Sequence, residues 1–143
     1  MQLINFAIGG QNIDLEWADG GYADLHNDFT FDKFLFEPSV AKATLEWRKS
    51  EGEWAQNVTI SSLGLIFLGV SFLRIRERDS EYTFPDDACL AEVGWLPQDE
   101  RDNFDSFCLT QDAELTYDLL FYFESGWAIK LNADTVELAL KMI

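Results

Sequence analysis

The chain has 143 residues, enough for one domain that buries roughly two-thirds of its unfolded surface without a disulfide or metal staple. A hydrophobic content of 48%, with twelve Phe and five Trp, excludes a disordered acidic tail even at a net charge of −16. Twenty-six acids against ten bases argue against nucleic acid or an anionic membrane as partner, because phosphate binding is driven by Lys and Arg, and they make a basic protein the natural complement.

Residues 3–8 and 13–17 read as short strands around Gly9-Gly10-Gln11-Asn12, a turn-rich spacer suited to a hairpin. Ile13, Leu15 and Trp17 alternate with Asp14 and Glu16, so one face is buried and the other solvated. After the break at Asp19-Gly20-Gly21 a third strand covers 28–36, where Phe29 and Phe31 change parity to Phe34 and Phe36; that change predicts a bulge near Lys33. Glu37-Pro38-Ser39 is a turn, and 41–49 is a half-buried strand with Ala43, Leu45 and Trp47 on its apolar face. Residues 50–57 form a polar loop interrupted by Trp54.

The longest apolar run follows, from Val58 to Asp79, and ends in Arg74, Arg76 and Arg78 at alternate positions. Gly64 and Gly69 among Ile, Val and Phe disfavour a helix, so 65–78 is expected to be one long strand, central in its sheet, with Gly69 at a bulge. From 79 to 118 the alternation fades. Asp86 is placed to cap a short helix through Val93 that stops at Gly94, and Pro97 with Asp99 and Glu100 opens a second helical turn towards Phe107. Residues 117–132 read as a hairpin with the three-residue loop Glu124-Ser125-Gly126, which pairs Phe123 with Trp127, Phe121 with Ile129 and Leu119 with Leu131. Residues 135–143 fit a strand through Val136, Leu138, Leu140 and Met142, and equally a helix capped by Asp134. The sum is a mostly-β chain, 1–143, forming a single antiparallel β-sandwich or strongly curved sheet with one irregular, partly helical excursion at 79–118.

Little chemistry is assembled locally. His26 is the single histidine, which rules out two-histidine metal motifs. On a strand, Asp24, His26 and Asp28 would share a face and could hold a divalent cation; the plainer expectation is that His26 hydrogen-bonds a neighbouring carboxylate and that no metal or other cofactor is needed. A catalytic triad would need the fold to bring His26 beside a Ser or Cys, and nothing near it in the chain does so. Gly69-Val70-Ser71 lacks the closing glycine of a nucleophile elbow, position 73 being Leu. Cys89 and Cys108 read as small buried apolar residues, with a single bridge between them left open. Arg74, Arg76 and Arg78 have two readings, internal ion pairs with Glu77, Asp79, Glu81 and neighbouring strands, or an anion-binding comb. The N-terminal residues carry no signal-peptide pattern, and the charge-free apolar stretch at 61–73 is shorter than the roughly 20 residues of a bilayer span, so a cytoplasmic protein without membrane association is expected.

Trp17-Ala18-Asp19-Gly20, Leu25-His26-Asn27-Asp28, the stretch Phe67-Leu68-Gly69-Val70 to Leu73-Arg74-Ile75 and the final aromatic hairpin follow one another in an order that resembles small acidic, mostly-β immunity proteins of bacterial polymorphic toxin systems. That resemblance implies a cytoplasmic, non-catalytic protein that covers a toxin surface. The charge agrees independently, since an acidic surface steers a basic toxin. The reading is therefore a protein-interaction module, not an enzyme, whose contacts come from acids within 14–32 and 77–105, notably Asp86, Asp87, Asp99 and Asp102, with Trp54 and Trp95 as anchors because both lie outside clear strands. The alternative is a β domain that binds a metal or small ligand.

Overall fold

The computed structural model describes residues 1–104 and 113–143, and it is mostly β, with 52% strand and no helix of seven residues or more. Twelve strands form three sheets among the described residues. The largest contains β1 (Gln2–Ile4), β5 (Phe29–Glu37), β6 (Lys42–Lys49), β7 (Ile60–Leu68) and β12 (Thr135–Met142) in the order β1-β12-β7-β6-β5. The second contains β8 (Phe72–Arg76), β9 (Leu90–Leu96), β10 (Asp118–Phe123) and β11 (Ala128–Asn132) in the order β8-β11-β10-β9. A small third sheet joins β2 (Ala7–Ile8), β3 (Asp14–Trp17) and β4 (Gly21–Asp24). All pairings are antiparallel except β1 with β12.

The two larger sheets meet through aromatic rings. Trp47 of β6 and Phe67 of β7 lie 5.8 and 6.2 Å from Phe121 of β10, and Phe31 of β5 lies 4.8 Å from Phe123. Tilted and edge-on rings at these separations add directional attraction to the apolar area they bury. Leu15 and Ala23 of the third sheet join the same buried cluster.

The long strand expected at 65–78 is two strands. Gly69 adopts φ +70, which a side chain would strain, and the chain turns through 69–71 from the five-stranded sheet into the four-stranded one. Its partner turns with it, because β11 and β12 are separated only by Ala133 and Asp134 and keep pairing with β8 and β7 on either side. A two-stranded ribbon therefore passes through both sheets and bends once. β7 is central, as expected, but β8 is an edge. Gly69 serves this corner and not a bulge.

The bulge of β5 falls between Phe31 and Lys33, so both aromatic pairs face inward, as the parity change requires. The hairpin has the expected register, Leu119 opposite Leu131 and Phe121 opposite Ile129, and Gly126 takes φ +88 in the three-residue loop. Residues 135–142 are a strand. The predicted strand at 3–8 is interrupted at Asn5 (φ 62), whose amide side chain bonds the backbone of Leu138 in both directions. The helix expected from Asp86 to Val93 is a correction: a 3-10 turn, Phe84–Ala88, with Asp86 in a capping box with Thr83, gives way to strand β9. Burial decides this, since Leu90, Val93 and Trp95 reach the core from an extended chain. The second helical start is the single turn Gln98–Glu100; Asp105, Phe107 and Cys108 lie outside the described residues.

The outer face of the four-stranded sheet carries a polar network. Arg101 clamps the fully buried carboxylate of Asp118 with two hydrogen bonds of 2.8 and 2.9 Å, and Asn132 donates a third at 2.8 Å. Lys130, also buried, donates to the carbonyls of Glu100, Arg101 and Asn103 at 2.9–3.1 Å, and burial pulls its pKa below the usual lysine value.

Two substitutions test these features. Gly69→Ala should lower the unfolding free energy by about 1–3 kcal/mol in urea titrations, since the left-handed conformation and the adjacent Asp134 carboxylate both oppose a Cβ. Asp118→Ala should cost about 3 kcal/mol, the low end for a broken buried pair, because Arg101 keeps partial access to water.

Candidate functional site

Residues 77–87 contain five carboxylates, one arginine and Pro85, with no alternation of apolar positions, so they have neither a sheet face to bury nor a helix to enter. They are fixed instead by the tip of the β10–β11 hairpin. The Asp79 amide donates to the Ser125 carbonyl at 2.9 Å, the Glu124 amide to the Cys89 carbonyl at 2.9 Å, and the Trp127 indole N–H to the Asp87 carbonyl at 3.0 Å. Arg76 donates through Nε and Nη2 to the Gly126 carbonyl at 3.0 and 2.9 Å. Gly126 is required here, because a Cβ would stand 2.5 Å from the Asp79 carboxylate.

This arrangement leaves two open clefts of about 450 Å³ each. Arg76, Arg78 and Tyr82 line one, Phe31, Lys33 and Phe34 line the other, and Asp87 with Trp127 forms the ridge between them. Arg78 stacks 3.6 Å over the ring of Phe84, and its Nε faces Asp87 Oδ1 at 3.4 Å without the alignment of a hydrogen bond. Phe84, 75% exposed, and Tyr82, 47% exposed, stand on the rim beside the exposed acids Glu77, Asp79 and Glu81.

The three arginines do not form a comb of free charges. Arg74 is paired with Asp102 and donates to the Arg101 carbonyl, Arg76 holds the hairpin tip, and Arg78 lies between Phe84 and Asp87. Each acts inside the molecule, but through the 84–87 turn, the 101–102 segment and the hairpin tip, not through Glu77, Asp79 or Glu81.

Of the predicted contact residues, the site brings together Asp86 and Asp87. Asp99 and Asp102 are exposed on the segment that covers the outer face of the four-stranded sheet. Trp54, 70% exposed, stands on the turn Glu53–Ala55 and donates its indole N–H to the Asn27 carbonyl at 2.8 Å. Trp95 is a correction: it lies within β9, opposite Leu119, and is 9% exposed, so it is part of the core and not a surface anchor.

The grouping of Asp24, His26 and Asp28 also fails, because 25–28 is a turn and not a strand. Asp24 closes that turn by accepting from the amides of His26 and Asn27 and from the Asn27 side chain at 2.8–3.0 Å. The turn instead carries His26 to Cys89 and Glu124. His26 Nδ1 is 2.6 Å from the Leu90 carbonyl, 3.8 Å from Cys89 Sγ and 3.9 Å from Glu124 Oε1. A carbonyl oxygen can only accept, so Nδ1 bears the proton. The fold thus places the histidine beside a thiol, which no local pattern indicated, but burial and then Glu124 and Asp86 push the Cys89 thiol pKa up. That is the opposite of what an attacking cysteine needs.

Sequence reasoning missed Tyr82, Phe84, Trp127, Cys89 and Glu124. The first two were visible as aromatics among acids in an irregular stretch. His26 lies 63 residues before Cys89, and Glu124 lies 35 residues after it, so the three meet only through topology. Comparison of the chain with family models, curated proteins and solved structures gives no match.

Burial, and then Asp24, raise the pKa of the Asp28 carboxyl. A carboxyl raised in the folded state stabilises the fold below its unfolded pKa and ceases to do so as pH rises through the folded value. Asp28→Asn, neutral at every pH, should therefore melt above the parent near pH ~7 and converge with it near pH ~3, where both side chains are uncharged. Thermal melts at the two pH values check this.

Proposed function

We propose that the protein is a non-catalytic interaction module that covers a basic surface of a protein partner, in the manner of an immunity protein. The observation that carries this reading is the rim of the hairpin-tip site: exposed Phe84 and Tyr82 are flanked by Glu77, Asp79 and Glu81, while the arginines beside them are already engaged within the molecule. Exposed aromatics supply contact area at small entropy cost, and unneutralised carboxylates steer a cationic surface towards them. The same electrostatics disfavour nucleic acid. A role inside the bacterial cytoplasm belongs to this proposal.

The test is capture from the source cells on the immobilised chain, identification of the retained protein, and titration with that protein purified. A basic partner is expected, with binding that weakens as salt rises from ~50 to ~300 mM. Phe84→Ala should raise Kd by roughly 10- to 30-fold, the loss typical of a buried aromatic anchor. The triple change Glu77→Gln, Asp79→Asn, Glu81→Gln should act chiefly on the association rate. Binding indifferent to salt and to both variants would overturn the proposal.

A further inference from the structure

We infer that His26, Cys89 and Glu124 form a binding site for a divalent cation of the zinc class. Their candidate ligand atoms all lie within 4.8 Å of one another, and they come from three separate parts of the chain: the turn after β4, the residue before β9, and the tip of the β10–β11 hairpin. Bond lengths of about 2.0–2.3 Å to N, O and S in a tetrahedral site require ligand atoms about 3.4–3.6 Å apart. The separations of 3.8 and 3.9 Å from His26 Nδ1 are a few tenths of an ångström longer, and the set as a whole spans up to 4.8 Å, so the exposed Glu124 side chain must swing inward by about 1 Å to close on the ion.

The donor set decides the class of ion. Thiolate with imidazole and a single carboxylate suits a borderline-soft metal, whereas magnesium and calcium demand oxygen throughout. His26 and Glu124 keep 34% and 48% of their side-chain surface in solvent, so water reaches the site and supplies the remaining position. The site is also held by the backbone. The Glu124 amide bonds the Cys89 carbonyl at 2.9 Å, tying two ligands together, and Asp24 fixes the turn that carries the third.

Binding balances in protons and charge. The His26 ring turns off the Leu90 carbonyl, giving up the 2.6 Å hydrogen bond there; the Nδ1 hydrogen moves to Nε2 as the ring changes tautomer, and the freed Nδ1 lone pair meets the ion. Cys89 becomes a thiolate and its proton goes to solvent. Thiolate and carboxylate together then neutralise the two charges of the cation. The resulting site has three protein ligands and one exchangeable position, unlike a closed structural centre.

The probe is Co²⁺, whose thiolate charge-transfer band reports a bound cysteine, followed by its displacement with Zn²⁺. One equivalent and a charge-transfer band are expected from the parent chain and from Cys108→Ser. Cys89→Ser should abolish the band. His26→Asn and Glu124→Gln should each weaken Co²⁺ binding by about 10- to 100-fold. Glu124→Gln alters an exposed side chain and keeps the fold, so a change in it cannot be ascribed to unfolding. No band in the parent, a band that survives Cys89→Ser, or affinity unchanged in Glu124→Gln would each overturn the inference.

Discussion

The architecture depends on one bend. At Gly69 and Asp134 the ribbon made of β7 with β12 leaves the five-stranded sheet and continues as β8 with β11 in the four-stranded sheet. The Asp134 amide donates to the carbonyls of Leu68 and Gly69, and the Ser71 amide to the Asn132 carbonyl, so the backbone stays satisfied through the turn. Once the bend is set, the inner faces of the sheets are opposed, and Phe31, Trp47 and Phe67 meet Phe121 and Phe123. The hairpin tip is then carried to the end of the sandwich where the 77–89 segment can dock on it.

The charge of the chain acquires a different meaning once its cations are located. Nine of the ten lysines and arginines have an acid or a carbonyl partner: Lys33, Lys42, Arg48, Lys49, Arg74, Arg76, Arg78, Arg101 and Lys130. Five of them serve the outer face and edge of one sheet. Positive charge is therefore spent internally, on buried carboxylates and on carbonyls that end turns, and the excess of acids faces water. Exposed pairs such as Lys33 with Glu46 add little stability. The clamp on Asp118 matters more, since its carboxylate has no access to solvent.

Periodicity made the strands legible where one face is buried. The bulge in β5 could be read because a two-residue period that shifts by one must lose or gain a residue, and the hairpin because one loop length alone keeps six apolar side chains together. The corner at Gly69 was not legible, since a strand that changes sheets stays apolar through the bend and its alternation does not announce it. Leu90 and Val93 were read as helix, and Trp95 as lying outside any strand, because a bulge in β9 breaks the alternation. The site divided in the same way. Acids of the excursion could be seen in the sequence, whereas Trp95 was misplaced by the same error that hid β9. The meeting of His26 with Cys89 and Glu124 is a property of the folded topology, and no window of sequence contains it.

The bulge that turns Phe34 and Phe36 inward has a further effect on how copies of this chain meet each other. β5 ends its sheet, and an edge of nine residues would ordinarily offer a row of unpaired amides and carbonyls to a neighbouring strand. The kink at Asp32, with exposed Asp32 and Lys33 beside it, spoils the regular spacing such a template needs. The opposite edge, β1, is only three residues long. The geometry that completes the core thus also guards both margins of the larger sheet against edge-to-edge aggregation, and leaves recognition to side chains at the end of the sandwich.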